Sequence, residues 1–370
     1  MHRLRQLSLA AVLAVAALTF AASASADGNR GRGAVYTLTN AATGNAVAVF
    51  ERAANGSLTP EGTVSTGGRG TGAGLGSQGA LVLDDDRLFA VNAGSNTISS
   101  LEVDDGNEVE LDDVASSRGV RPISLTVHGP ILYVLNAGDA TTPANITGFL
   151  VFGGELIPLP GSSRPLSTAA PDPAQIEFTP DGRVLVVTEK ATNRITTYRV
   201  FFGFASGPFS QPSAGQTPFG FAFDRRGHLI ASEAFGGATD ASVLSSYGVS
   251  RSGAVSVIDP NVATTETAAC WVVVTKDGRF TYTTNTGSNS ISGYAISRDG
   301  DLTLLDADGK TAVTGATPID AALSRSSRFL YELSAGAGEI GGFTVNSDGS
   351  LDSLGAVGGL PAGTVGLAAS

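Results

Sequence analysis

Two carboxylates end similar runs of the chain: Glu189 closes Val186-Val-Thr-Glu189 and Glu233 closes Ile230-Ala-Ser-Glu233. Two such groups at one opening can divide general-acid and general-base work if their surroundings separate their pKa values, or they can hold a hard cation. Asp172 and Gln175 stand just ahead of the first run, and Arg121 and Asp320 at comparable places elsewhere, so these four are expected to contact a substrate. The bland alternative is that both glutamates are solvated rim residues. Choosing between the two requires knowing which elements carry them.

Those elements repeat. Val47/Phe50, Ile98/Leu101, Ile146/Phe149, Ile195/Tyr198, Leu244/Tyr247, Ile291/Tyr294 and Ile340/Phe343 form seven copies of an aliphatic residue followed three places later by an aromatic or Leu, with successive spacings of 51, 48, 49, 49, 47 and 49 residues. Self-similarity at this period marks a propeller or solenoid. An offset of three in a strand places the two side chains on opposite faces, so the strand must be covered on both sides, as in a propeller blade. Ahead of each copy runs a strand ending in a polar residue, as at Asn40, Asn92, Asn136, Glu189, Glu233, Asn285 and Ser334. After it come hairpin turns such as Asn55-Gly56, Asp299-Gly300 and Asp348-Gly349.

Thr179-Pro180-Asp181-Gly182-Arg183 and Thr275-Lys276-Asp277-Gly278-Arg279 mark the turn between a first and a second strand. The first strands are expected to begin near Gly79, Pro122, Pro173, Pro218, Ala268, Pro318 and Pro361. The reading is all-β: a seven-bladed propeller of four-stranded antiparallel blades. Its first blade lacks a first strand, and the segment 361–370 supplies one. In such a blade the end of the second strand lies beside the start of the first, so this face is the expected mouth. Asn at that position is expected to be structural, and Glu189 and Glu233, in adjacent blades, are the departures.

His128 and His228 fall in first-to-second turns, on the opposite face, which argues against a His base or triad at that mouth. No G-x-S-x-G nucleophile elbow occurs. Cys270, the single cysteine, lies in the apolar run 269–274 and reads as a small buried hydrophobe. Gly74-Leu75-Gly76-Ser77-Gln78-Gly79 matches G-x-G-x-x-G but leads into the strand-like 80–83 rather than a helix, so it is read as a flexible loop. No cofactor or metal is expected.

Residues 1–26 have the form of a secretory signal: Arg3 and Arg5, an apolar run from Leu7 to Phe20, and Ala24-Ser25-Ala26 before the expected cleavage point. The apolar run is too short to span a bilayer. A flexible tail at 27–33 and one domain over 34–370 follow, released from the cell or held in its envelope. With 48 Gly and 16 Pro the composition suits short strands and tight turns. The formal charge of −11 becomes −13 once Arg3 and Arg5 are removed, which disfavours nucleic acid, an anionic membrane surface, and a phosphorylated substrate lacking a local basic pocket. No membrane insertion is expected, and a monomer is.

On the seven repeats, the Thr-Pro-Asp-Gly-Arg turn, the strands ending at Glu189 and Glu233 and the Asn289-Ser-Ile-Ser-Gly-Tyr294 unit, the chain resembles the lactonase-type seven-bladed propeller family. That family includes 6-phosphogluconolactonase and the 3-carboxy-cis,cis-muconate lactonising enzyme. The resemblance implies Glu233 as general base or acid, with Glu189 assisting or orienting water. The family's His residues before the strand at Pro171-Asp-Pro-Ala-Gln175, and its Arg-His pair at Thr217-Pro-Phe-Gly220, are missing here. Without those basic groups, the implied substrate is a small unphosphorylated lactone or cyclic ester. The rival reading is a non-catalytic propeller binding a protein, glycan or metal ion.

Overall fold

The structure, a computed structural model, describes residues 33–104 and 106–370; the leader and residues 27–32 of the expected tail lie outside them. Seven antiparallel sheets form seven blades. In the fourth blade the order is Pro173–Phe178, Val184–Glu189, Arg194–Phe201, Phe204–Pro212; in the fifth it is Pro218–Phe223, His228–Glu233, Val243–Val249, Val255–Ala263. In the third and sixth blades the fourth strand is split, so that Arg164–Pro165 and Ala312–Val313 pair separately with the third strand. The first strands are innermost and pack against one another in a closed ring.

The repeat works as its spacing predicts. All fourteen residues of the seven pairs are buried. The aliphatic member enters the core shared with the following blade and the aromatic or Leu member the core shared with the preceding one. Ile195 packs in one cluster with Tyr247, Leu244 in another with Tyr294, and Ile291 in a third with Phe343; Ile340 of the seventh blade then meets Phe50 of the first. Each sheet is thereby covered on both faces, and the ring has no free face.

The chain closes the ring by completing its own first blade. Val365–Ala369 pairs antiparallel with Gly33–Leu38, a strand that starts at Gly33 rather than 34. The Thr37 hydroxyl donates to the Gly366 carbonyl at 2.6 Å, and the Ser370 amide donates to Ala34 O at 2.9 Å. This strand begins at Val365, not near Pro361, because Gly363 holds φ +88° and its Cα lies against the Gly72 carbonyl, where a Cβ would collide. The first strands of the second and sixth blades likewise start slightly late, at Leu81 and Ala269.

Truncation after residue 359 exposes the inner edge of the first blade and removes the buried Val365 and Leu367, each contributing about 1.5–3 kcal/mol by burial. The expected outcome is a large fall in the thermal midpoint with loss of cooperativity. A melting transition identical to that of the full chain refutes closure by this strand.

Candidate functional site

The predicted register is present. Asn136 pairs with Pro122, Glu189 with Pro173, Glu233 with Pro218, Asn285 with Ala269 and Ser334 with Pro318. In five blades the residue before the first strand has left-handed backbone: Arg121 (φ 56°), Asp172 (51°), Thr217 (57°), Ala268 (58°) and Thr317 (58°). Each carbonyl there accepts the amide that follows the second strand, as Asp172 O does from Lys190 N at 3.0 Å. Arg121 and Asp172 thus sit at a bend that every such blade makes, with exposed side chains; the Asp172 carboxylate lies 3.4 Å from Lys190 Nζ.

Glu189 and Glu233 are fully buried and are not solvated rim residues. Alternation along the second strand puts Glu189 on the face of Leu185 and Val187, between the third and fourth blades. Its carboxylate accepts the Ser167 amide at 3.1 Å, Thr192 Oγ1 at 2.8 Å, Thr196 Oγ1 at 2.7 Å, and the Ser167 hydroxyl. Glu233 lies on the face of Leu229 and Ala231, between the fourth and fifth blades. It accepts Tyr247 OH at 2.5 Å and Ser245 Oγ at 2.7 Å. Burial raises its pKa, opposed by those two hydroxyls and by the amides of Gly215 and Ala214. The two partner sets share no residue, and the whole fourth sheet stands between the carboxylates. Each ties the loop entering its blade to that blade's third strand. Asn92 and Asn285, also fully buried, do comparable work through Ser99 and Ser290.

The expected mouth is closed on this side. The segment read as a flexible Gly-rich loop is tied down across the end of the channel. Gln78 bridges the ring, accepting the Val272 amide at 3.0 Å and donating to the Val272 carbonyl at 2.7 Å. The Trp271 indole donates to Ser77 O at 3.1 Å, and Lys190 Nζ donates to Gly76 O at 2.7 Å while standing 4.8 Å above the Phe219 ring. Beneath lie Ala174, Phe219, Trp271 and Cys270, whose thiol burial pushes up to about 11, consistent with a packed hydrophobe.

The cavity along the axis, about 460 Å³, reaches instead toward the opposite face, where Asp84, His128 and Pro180 edge it. It brings together Gln175 and Asp320 of the predicted residues, and adds Glu177. Ser124, Gln175 and Asp320 are repeat-equivalent. Each faces the unpaired inner edge of the next blade's first strand: Ser124 Oγ accepts the Ile176 amide at 3.1 Å and Gln175 Oε1 the Phe221 amide at 2.7 Å. Asp320 faces the amides of Gly366 and Leu367 and accepts its neighbour Ala321 N at 2.8 Å through Oδ1; Oδ2 is buried without a hydrogen-bond partner. Burial holds its pKa well above the carboxylate range.

Glu177 accepts Gln175 Nε2 at 2.9 Å, and burial pushes it up to about 8. Its remaining surface lines the cavity. The sequence signal for it was available, since Thr126, Ala222 and Ala322 hold its place in other blades. Among the described residues, the cavity lining contains no Lys or Arg, and no three His, Cys, Asp or Glu side chains converge as a metal-ion site.

Glu332, buried beside Ser334, is likewise raised to about 8 by burial. An acid raised in the folded state binds its proton more tightly there than when unfolded. Stability is therefore fullest below the ordinary carboxyl value and falls as pH rises toward about 8. Denaturant titrations at pH 5.5 and 8.5 (well below and just above the raised values) should show the lower stability at the higher pH, with Glu177→Gln and Glu332→Gln each flattening the difference. A profile unaltered by both substitutions rules these carboxyls out as its source.

Residues 240–364 match the family model described as Lactonase, 7-bladed beta-propeller. None of the curated proteins matches the sequence. Among solved structures, a protein from Lactobacillus plantarum is 17% identical, with TM-score 0.74 over 92% of this chain and 99% of its own. The periplasmic gluconolactonase of Pseudomonas aeruginosa is 17% identical, with TM-score 0.68 over 90% and 98%. A Bacteroides fragilis protein provisionally assigned as a 6-phosphogluconolactonase is 16% identical, with TM-score 0.70 over 91% and 98%. The chain is thus a seven-bladed propeller, and its residues 240–364 match the lactonase propeller model.

Proposed function

We propose that the protein is an exported, monomeric hydrolase of a small unphosphorylated lactone or cyclic ester, working in the axial cavity with carboxyl groups. The observation that carries this reading is Glu177, pushed up to about 8 and facing a cavity of about 460 Å³ that Asp320 also lines. That size suits a small organic ligand. The lining, without Lys or Arg among the described residues, offers nothing to neutralise a phosphate. Export is supported by Arg3, Arg5, the run to Phe20 and Ala24–Ala26, and by the likeness to a gluconolactonase named as periplasmic.

In this mechanism ionised Glu177 takes a proton from water as its oxygen adds to the lactone carbonyl carbon. Protonated Asp320 donates a hydrogen bond to the carbonyl oxygen where negative charge develops. Collapse of the tetrahedral adduct breaks the ring C–O bond, and the departing alkoxide recovers the proton from Glu177. The product is the open hydroxy acid. Glu189 and Glu233, each surrounded by its own donors, serve the frame in this reading.

A pH-stat assay on a panel of sugar, aliphatic and aromatic lactones tests it, with uncatalysed hydrolysis subtracted. Turnover should rise with pH as Glu177 ionises, with an apparent pKa near 8. Glu177→Gln should lower it by about 10²-fold or more, in keeping with the loss of a general base. Loss of turnover in folded Glu233→Gln, with Glu177→Gln still active, returns the chemistry to the glutamate expected from sequence. A non-catalytic binding propeller is the second reading, favoured by the closed mouth and the saturated Glu189 and Glu233. Absence of turnover across the panel, with a lactone or another ligand still bound, selects it.

A further inference from the structure

The face on which the cavity opens also carries the third-to-fourth hairpins, and two adjacent ones depart from the pattern of the rest. In the fourth blade Phe201 pairs with Phe204, and Phe202-Gly203 forms the two-residue turn, with φ +49° and +81°. Such a turn selects Asn or Gly at its first position, because a bulky side chain is strained in left-handed backbone. The third blade, which has the same two-residue turn, follows that rule with Gly153-Gly154, at φ +56° and +88°. Phe202 breaks it without gaining any burial, being 86% exposed, next to Phe201 at 73%. Phe152, at the matching place in the third blade, is 72% exposed. Strain of this kind kept at a surface position points to function rather than packing.

The charged side chains that line the concavity of Phe201 and Phe202 are all arginines. Arg183, Arg199 and Arg251 line the same concavity as Phe201 and Phe202, and all three are exposed. Asp181 reaches Arg251 at 3.3 Å and Arg183 at 3.8 Å, so it offsets only part of this charge, and Arg199 stacks over Phe209 at 5.1 Å. Glu155, exposed beside Phe152, is the nearest acid in the third-blade hairpin. The chain as a whole has 23 Lys and Arg against 34 Asp and Glu, so this rim is a local inversion of sign.

We propose that the rim made by Phe152, Phe201, Phe202, Arg199 and Arg251 is a docking surface for an anionic lipid bilayer. Convex hairpin tips bearing bare aromatic rings enter a fluid apolar layer, while the arginines reach headgroup phosphates beside them. The acidic remainder of the protein is repelled from such a surface, which fixes the orientation with the cavity facing the membrane. The contact is peripheral: among the described residues no helix is long and apolar enough to cross a membrane. It also replaces, for this one face, the expectation drawn from net charge that anionic membranes are avoided.

The test is co-sedimentation of the full chain with vesicles of phosphatidylcholine and phosphatidylglycerol in equal parts, and with phosphatidylcholine alone. All proteins compared share the apolar run from Leu7 to Phe20, so differences between them report on the rim. The chain should prefer the anionic vesicles, with binding weakened by salt. Phe202→Asn should lower partitioning about tenfold through the lost apolar contact, as should the double variant Arg199→Glu, Arg251→Glu. Phe202→Asn relieves left-handed strain, so its melting temperature should be unchanged or raised, which separates lost docking from lost folding. Equal partitioning of wild type and variants overturns the proposal. So does self-association of the wild type, without vesicles, that Phe202→Asn abolishes while neither protein binds lipid, because the rim is then an interface with a second copy.

Discussion

The structure depends on each sheet being covered on both faces, and a three-residue offset achieves this. In a strand that offset sends an aliphatic side chain one way and an aromatic one the other, so each blade presents a different surface to each neighbour. Large rings such as Tyr198, Tyr247 and Tyr294 fill the wider gap against the preceding blade, and Ile146, Ile195 and Leu244 close it from the other side. No blade can bury both surfaces alone. Stability is therefore a property of the closed ring, and a single strand from 365 to 369, joining the two ends of the chain, carries consequences for every interface.

The same architecture determines where polar chemistry can sit. The inner strand of each blade has one hydrogen-bonding edge with no strand beside it. Its amides take side chains from the preceding blade, which is why a polar residue recurs at Ser124, Gln175 and Asp320. A hydroxyl or amide satisfies this need without carrying charge. A carboxyl in the same place, deprived of water, favours its protonated form, and Asp320 meets that condition with one oxygen still unpartnered. The axial cavity inherits Asp320 from a structural requirement of the fold.

Much of this was legible in the sequence. The repeat pairs, the Asp-Gly turns, the incomplete first blade and the structural role of Asn92 and Asn285 follow from local pattern, because each depends on neighbours within one repeat or the next. Gln78 and Trp271 escaped notice for the opposite reason. The contacts of the cap join residues nearly four blades apart across the axis, which no periodicity encodes. Closing that end moved the opening to the face of His128, so Gln175 and Asp320 came together in the cavity while Glu189 and Glu233 stayed in separate interfaces. Glu177 was passed over because it ends no strand, although it replaces Thr126, Ala222 and Ala322 at its place in the repeat.

Glu177, Glu189 and Glu233 show why residue type is a weak guide to role. Glu189 is as buried as any described residue, yet one backbone amide and three hydroxyls converge on it, so its oxygens have a full complement of donors. Glu233 has the Tyr247 and Ser245 hydroxyls and the amides of Gly215 and Ala214, and burial still raises it. Glu177 has one side-chain donor, Gln175, whose amide also bonds the Phe221 carbonyl, and its open side meets the cavity rather than protein. Glu177 has fewer donors than either of the others and more access to a ligand. A carboxyl that exchanges its proton near neutral pH and can touch what enters the cavity is a better acid-base group than two that are ringed by their own donors. The physical distinction lies in what surrounds the group, and the second-strand positions surround it completely.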